Sequence, residues 1–303
     1  MRARSPRPAR LPATLALWLA ALGCSARGPR ETRPQELLAE FGEVAVENGV
    51  LSYAVRMRRA SEPVLLLHGS NMDSRIWEDQ LGALVDQYRV ITYDLRGFGR
   101  SSRADVPFAA HQDLKALLDS LRIERTALVG LSLGGRVALD FALTWPERVR
   151  ALVLAAPGVS GHRPNSPVEP WVRELIEAIR ARDTIRATDA WLSSPAMRPA
   201  MERPDLAPRL RAISYANSGI FALGASPERP LDPPAIDRLH EVRAPTLVII
   251  GDRDAEALRA LADTLAARIP GARKVVIPGA GHLTNVEAPE AFNRALLAFL
   301  AKN

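Results

Sequence analysis

Apolar residues in this chain follow two alternating rhythms. Short continuous runs recur: Val64-Leu65-Leu66-Leu67, Val90-Ile91-Thr92-Tyr93, Ala127-Leu128-Val129, Ala151-Leu152-Val153-Leu154, Thr246-Leu247-Val248-Ile249-Ile250 and Lys274-Val275-Val276-Ile277. A run without polar alternation predicts a strand covered on both faces. Between these runs lie segments of helical period at about 77–86, 113–121, 135–143, 255–268 and 289–300. Repeated strand–helix units predict an α/β protein: a mostly parallel sheet with helices on both faces.

Two regions break the rhythm. Before the first unit, Val44-Ala45-Val46 and Val50-Leu51-Ser52-Tyr53-Ala54-Val55 flank Glu47-Asn48-Gly49, and Asn-Gly between apolar runs predicts a hairpin. Residues 160–242 are proline-rich and helical in pattern, with 171–182 the clearest amphipathic piece and no buried-strand run. This stretch reads as a helical cap inserted over the active edge of the sheet. It splits the core into 41–159 and 243–303.

Charge bears on partners only through its placement. The chain of 303 residues carries a formal charge of +6, but Arg2, Arg4, Arg7 and Arg10 supply four of those charges with no acid among them. No basic patch interleaved with aromatics follows, so nucleic acid is not an expected partner. The arginines precede a short apolar stretch, residues 11–22, too short to span a bilayer comfortably. It runs into Ala21-Leu22-Gly23-Cys24, which resembles the lipobox of bacterial lipoproteins. The expectation is a signal peptide over 1–23, a lipid anchor at Cys24 and a tether over 24–40. The protein would then be exported and held on a membrane facing the periplasm or exterior. The alternative is an ordinary cleaved signal and a secreted soluble protein. Cys24 is the only cysteine, so the mature chain can form no internal disulfide.

Candidate chemistry begins with Gly130-Leu131-Ser132-Leu133-Gly134, a G-x-S-x-G match directly after one predicted strand and before a helix. A tight strand-to-helix turn needs small flanking residues and lifts the serine to the carboxyl edge of the sheet. A serine hydroxyl needs a base. Of the five histidines, His282 alone follows the last strand, in Pro278-Gly279-Ala280-Gly281-His282. The base in turn needs an acid, and the loop Gly251-Asp252-Arg253-Asp254 offers two.

Taken together, His68-Gly69, the run Asp94-Leu95-Arg96-Gly97-Phe98-Gly99-Arg100-Ser101, Gly130 to Gly135, Gly-Asp-Arg-Asp and Gly-Ala-Gly-His resemble the α/β-hydrolase superfamily. Within it they look most like the esterase, cofactor-free haloperoxidase and enol-lactonase branch. The resemblance implies Ser132 as nucleophile and His282 as base. The family's Gly-x-x-acid spacing selects Asp254, and the loop after residues 151–154 has no carboxylate to compete with it. The resemblance also implies an oxyanion hole formed by the backbone N–H groups of Ser70 and Leu133, and it gives Asp94 a structural part. Dehalogenases and epoxide hydrolases of this fold use an aspartate nucleophile, whereas position 132 is Ser.

The function expected is therefore a serine hydrolase acting on a small ester, thioester or lactone through an acyl-serine. The alternatives are C–C bond hydrolysis or perhydrolysis by the same residues, and a catalytically silent binding protein on the same fold. One cysteine and no close histidine pair give no expectation of a metal, and no cofactor is expected. Trp171, Trp191, Tyr215 and Phe221 concentrate in the cap. Each singly reads as cap packing; together some are expected to line an apolar substrate pocket.

Overall fold

The computed structural model describes residues 38–59, 61–162, 169–224 and 227–303. The predicted signal segment, Cys24 and most of the tether lie outside the described residues. Eight strands form one sheet in the order β1-β2-β4-β3-β5-β6-β7-β8. They are β1 (Leu38–Val46), β2 (Gly49–Met57), β3 (Pro63–Leu67), β4 (Arg89–Tyr93), β5 (Thr126–Leu131), β6 (Val149–Ala155), β7 (Thr246–Gly251) and β8 (Arg273–Ile277). β1 pairs antiparallel with β2, and β2 with β4; every pairing from β4 through β3 to β8 is parallel. The first strand begins at Leu38, inside the stretch expected as tether.

β5 and β7 are buried from end to end and β6 at every position but Arg150, and their side chains divide by the two-residue period of a strand. Leu65, Leu67, Leu128, Leu152, Leu154, Val248 and Ile250 join one core. Val64, Leu66, Ala127, Val129, Val153, Leu247 and Ile249 join the other. The first core is closed by α2 (Ala110–Ser120), α3 (Leu133–Thr144) and α8 (Glu256–Arg268), through Leu114, Phe141 and Leu265. The second is closed by α1 (Glu78–Leu84) and α10 (Pro289–Leu300), through Leu84, Phe292 and Leu296.

Between β6 and β7 the described elements are helical: α4 (Pro170–Arg180), α5 (Thr184–Leu192), α6 (Arg198–Met201), α7 (Ala207–Ala216) and short 3-10 turns. This insertion touches the loops that follow the parallel strands. Asn217 Nδ2 donates to Asp73 after β3 at 2.8 Å, and its Oδ1 accepts Gly99 N–H after β4 at 2.7 Å. Pro199 packs on Gly281 after β8. The insertion thus covers the carboxyl edge of the sheet.

The hairpin forms, but one residue earlier than Asn-Gly implied. Val46 pairs with Gly49, so Glu47 and Asn48 make the turn, and Asn48 takes the positive φ of 58°. Gly49 is needed for a different reason: a β-carbon there would strike Arg96 Nη1. Arg96 is fully buried. It binds Asp113 through two hydrogen bonds of 2.8 Å, donates to the carbonyls of Glu47 and Asn48, and lies 5.1 Å over the Phe108 ring. It ties the hairpin, α2 and the loop after β4 together.

Removing one member of a buried ion pair strands the other charge, at about 3–5 kcal/mol. Arg96→Met should therefore lower unfolding stability by about that much. The double change Arg96→Met with Asp113→Leu should recover most of it. Urea melts of the three proteins measure this; a single variant as stable as the parent would contradict it.

Candidate active site

The turn from β5 into α3 forces Ser132 to φ 52°, ψ −111°, a conformation disfavoured for any residue with a β-carbon. Its neighbours impose it. A β-carbon on Gly130 would overlap the Gly134 carbonyl, and one on Gly134 the Leu67 carbonyl. Ser132 N–H donates to the Ala155 carbonyl at 2.9 Å, and Ser132 C=O accepts from Arg136 N at 3.1 Å and Gly158 N at 2.9 Å. Ser132 is the N-cap of α3, yet its side chain makes no capping bond. The hydroxyl is left for chemistry at the positive end of the helix.

His282 is buried in the loop after β8, and its Nδ1 lies 3.0 Å from Asp254 Oδ2. Asp254 is also buried, and its Oδ1 accepts Ala255 N–H at 2.7 Å. Asp252 is exposed and instead accepts Gly279 N–H at 2.7 Å. Of the two carboxylates in this loop, only Asp254 reaches the imidazole. Burial alone would push the His282 pKa down, but the Asp254 charge and hydrogen bond outweigh it, with Glu287 adding, and the net direction is upward. Among the described residues no hydrogen bond joins Ser132 Oγ to the ring; such contacts often close only with substrate.

Glu287 escaped the sequence reading. It ends the short helix α9 (Thr284–Glu287), and its two carboxylate oxygens accept Gly281 N–H at 2.8 Å and Leu283 N–H at 2.9 Å. Those N–H groups belong to the two residues that flank His282. A carboxylate five residues past the histidine, in an otherwise uncharged stretch, was the only trace of it in the sequence.

The loop after β3 completes the edge. His68 is buried; its Nε2 accepts Leu95 N–H at 2.9 Å, which leaves the proton on Nδ1 to donate to the Gly69 carbonyl at 2.8 Å. Burial pushes its pKa down, so this histidine is a neutral brace between two loops. Asp94 also braces: Oδ1 accepts Ser74 N–H and Oδ2 accepts Arg100 N–H, each at 2.9 Å. Gly69 faces the elbow: a β-carbon there would sit 3.4 Å from the Ser132 β-carbon. Leu133 is the first residue of α3, so its N–H has no acceptor within the helix. Ser70 and Leu133 border one cavity of about 220 Å³.

The four cap aromatics take another place. Trp171 on α4 and Trp191 on α5 pack edge to face at 6.1 Å. Tyr215 on α7 donates its hydroxyl to Asp189 on α5 at 2.5 Å, and Phe221 is half-buried in the turn that follows. None of the four lines the cavity beside Ser70 and Leu133; Ile220, the neighbour of Phe221, does. Short helices need large side chains to hold one another, and the tryptophans and Tyr215 serve that end.

Comparison with known proteins agrees with this fold. The profile of the Alpha/beta hydrolase family matches residues 64–295. A 2-hydroxy-6-oxononadienedioate/2-hydroxy-6-oxononatrienedioate hydrolase from Paraburkholderia phymatum is 32% identical over 257 residues, covering 80% of this chain and 88% of that protein. The enol-lactonase structure from Burkholderia xenovorans superposes with a TM-score of 0.71 at 26% identity, over 86% of this chain and 100% of that one. A malate-bound thermophilic esterase from Thermogutta terrifontis gives 0.67 at 28%, over 87% and 98%. The elbow serine, the covered sheet edge and these relatives lead to one assignment: the chain belongs to the alpha/beta hydrolase family, and it is a hydrolase.

Proposed function

We propose that the protein hydrolyses a small carboxylic ester, thioester or lactone through an acyl-Ser132 intermediate. The observation that carries this is the buried His282–Asp254 pair at 3.0 Å, on the same sheet edge as a serine whose hydroxyl caps nothing. With Nδ1–H donated to Asp254, the His282 Nε2 lone pair is free to accept the Ser132 proton. Ser132 Oγ then attacks the carbonyl carbon, and the negative charge on the carbonyl oxygen meets the N–H groups of Ser70 and Leu133. Each such donor typically lowers the barrier by ~3–4 kcal/mol. Collapse expels the alcohol or thiol, which leaves with the proton from Nε2. A water activated by the same nitrogen releases the acid and restores the serine. C–C bond hydrolysis by the same residues is a second reading. The Paraburkholderia relative, named as a hydrolase of an oxo-dienedioate, favours it.

The proposal extends to location. With Arg2, Arg4, Arg7 and Arg10 before an apolar run ending at Cys24, the enzyme is exported and lipid-anchored through that cysteine. No helix among the described residues is long and apolar enough to cross a membrane.

On a panel of p-nitrophenyl esters of graded acyl length, the parent should turn over at least one member, and Ser132→Ala none. A fluorophosphonate probe should label the parent and spare the variant; labelling that survives in Ser132→Ala puts the nucleophile elsewhere. Ring-fission diketones in the same panel separate ester from C–C cleavage.

The base must be neutral to accept a proton, so rate is lost as pH falls through the His282 pKa. Because Asp254 holds that pKa up, the acid limb of kcat/KM should lie above the ordinary histidine value of ~6.5. Asp254→Asn should move the limb down and lower kcat by on the order of 10⁴. Glu287→Gln should move it down less, and Asp252→Asn should leave it in place. A limb unmoved by Asp254→Asn refutes the pairing.

If Cys24 carries lipid, the full chain sediments with membranes and Cys24→Ala releases it or stalls its processing. Several acyl chains hold firmly where one would not. A parent found wholly in the soluble fraction defeats the anchor.

A further inference from the structure

The cavity of about 220 Å³ beside Ser70 and Leu133 has an unusual wall. Phe98, Phe108, Val137 and Ile220 make most of it apolar, yet two arginines and a glutamate also border it: Arg96, Arg136 and Glu228. A cation on a cavity beside the residues proposed to hold the oxyanion would ordinarily point to an acidic substrate. Here each cation is already paired with carboxylates. Arg96 is held by both oxygens of Asp113 and by two carbonyls. Arg136, one helical turn beyond the nucleophile on α3, donates through Nη2 to both oxygens of Glu228, at 2.8 and 2.7 Å, and through Nη1 to Asp140 at 3.3 Å.

Glu228 is itself fixed. It forms a parallel bridge with Phe108, and the next residue, Arg229, donates its N–H to the Phe108 carbonyl at 2.7 Å. Asp140 accepts the Ser160 hydroxyl on both oxygens at 2.6 Å. Burial raises the Asp140 pKa to about 6, so above that pH the carboxylate is charged. At neutral pH two guanidinium groups then face three carboxylates, Asp113, Asp140 and Glu228. A carboxylate entering this space would lose water and meet guanidinium groups whose charge is already offset by these three carboxylates; such burial is strongly disfavoured.

We infer that this cavity selects an uncharged acyl group, and that Glu228 is the specificity-determining residue because both its oxygens hold Arg136 Nη2 and offset its charge. The volume corresponds to on the order of seven water-sized groups, which fits a phenyl ring or a five- to six-carbon chain. The inference rests on the acyl-Ser132 reading above and deepens it. It also sets this chain apart from its Paraburkholderia relative, whose named substrate is a dicarboxylate.

The test compares two esters of equal length: p-nitrophenyl pentanoate and the p-nitrophenyl monoester of glutaric acid. The parent should favour the neutral ester by at least a hundredfold in kcat/KM. Glu228→Gln keeps the shape but removes the negative charge that offsets Arg136, and should shrink that ratio at least tenfold; Glu228→Ala should shrink it as much or more. Should either variant fold poorly, the parent ratio still decides the selectivity. Equal turnover of the two esters by the parent, or a preference for the acidic one, overturns the inference. So does a ratio unmoved by both substitutions. Protection of Ser132 from fluorophosphonate by butylboronic or 3-carboxypropylboronic acid gives the same comparison without turnover. A chain that labels at Ser132 but cleaves no ester would refute the ester reading, while the boronic pair still decides this one: stronger protection by the neutral acid supports it, and equal or reversed protection overturns it.

Discussion

Ser132 stands at φ 52°, ψ −111°, which costs about 1–3 kcal/mol for a residue with a β-carbon, and the surrounding fold exists to hold it there. β3 and β6 flank β5, and each contributes to the turn. The Leu67 carbonyl leaves room only for a glycine at 134, and the Ala155 carbonyl accepts Ser132 N–H. The strain is held by buried, mutually packed strands, not by the turn itself. That is why the apolar runs of the sheet and the geometry of one hydroxyl cannot be separated.

Around this elbow, the acidic side chains of the edge are divided by environment. Asp94 and Glu287 spend their oxygens on backbone N–H groups and fix loops. Asp252 does the same from an exposed position. Asp254 gives one oxygen to Ala255 N–H and keeps the other for His282. The imidazole is therefore positioned by its ring nitrogen and by the peptides on either side of it. In the proposed role of base, an imidazole so held loses little freedom when it accepts a proton, and the nearby carboxylates stabilise the charge it acquires.

The cap shows how a small insertion meets competing demands. Its apolar residues Leu192, Met197, Leu210 and Ile213 join the core on the α1 and α10 face, while its tryptophans and Tyr215 hold its own helices together. The cavity wall is left to Phe98 and Phe108 from the core and to Ile220 from the cap. Composition placed the aromatics in the insertion; it could not say which way they face, because short helices turn to whichever neighbour buries them.

What the sequence determined by itself is what local pattern and chain order encode. Unbroken apolar runs separated by helical periods specified a parallel sheet covered on both faces, and helix 289–300 was legible to the residue. Glycines flanking Ser132 after one strand, and a histidine after the last, marked in order the two residues proposed to react. Only the tertiary structure decided partners distant in sequence. It brought His282 to the Asp254 that the family spacing had selected, set Glu287 under the histidine loop, paired Arg136 with Glu228 across 92 residues, and turned Gly49 from a turn residue into a gap for Arg96. The physical reason is common to all four. A charge or a void is satisfied by whatever the folded backbone brings within about 3 Å, and hydrogen bonding at that distance is indifferent to separation along the chain.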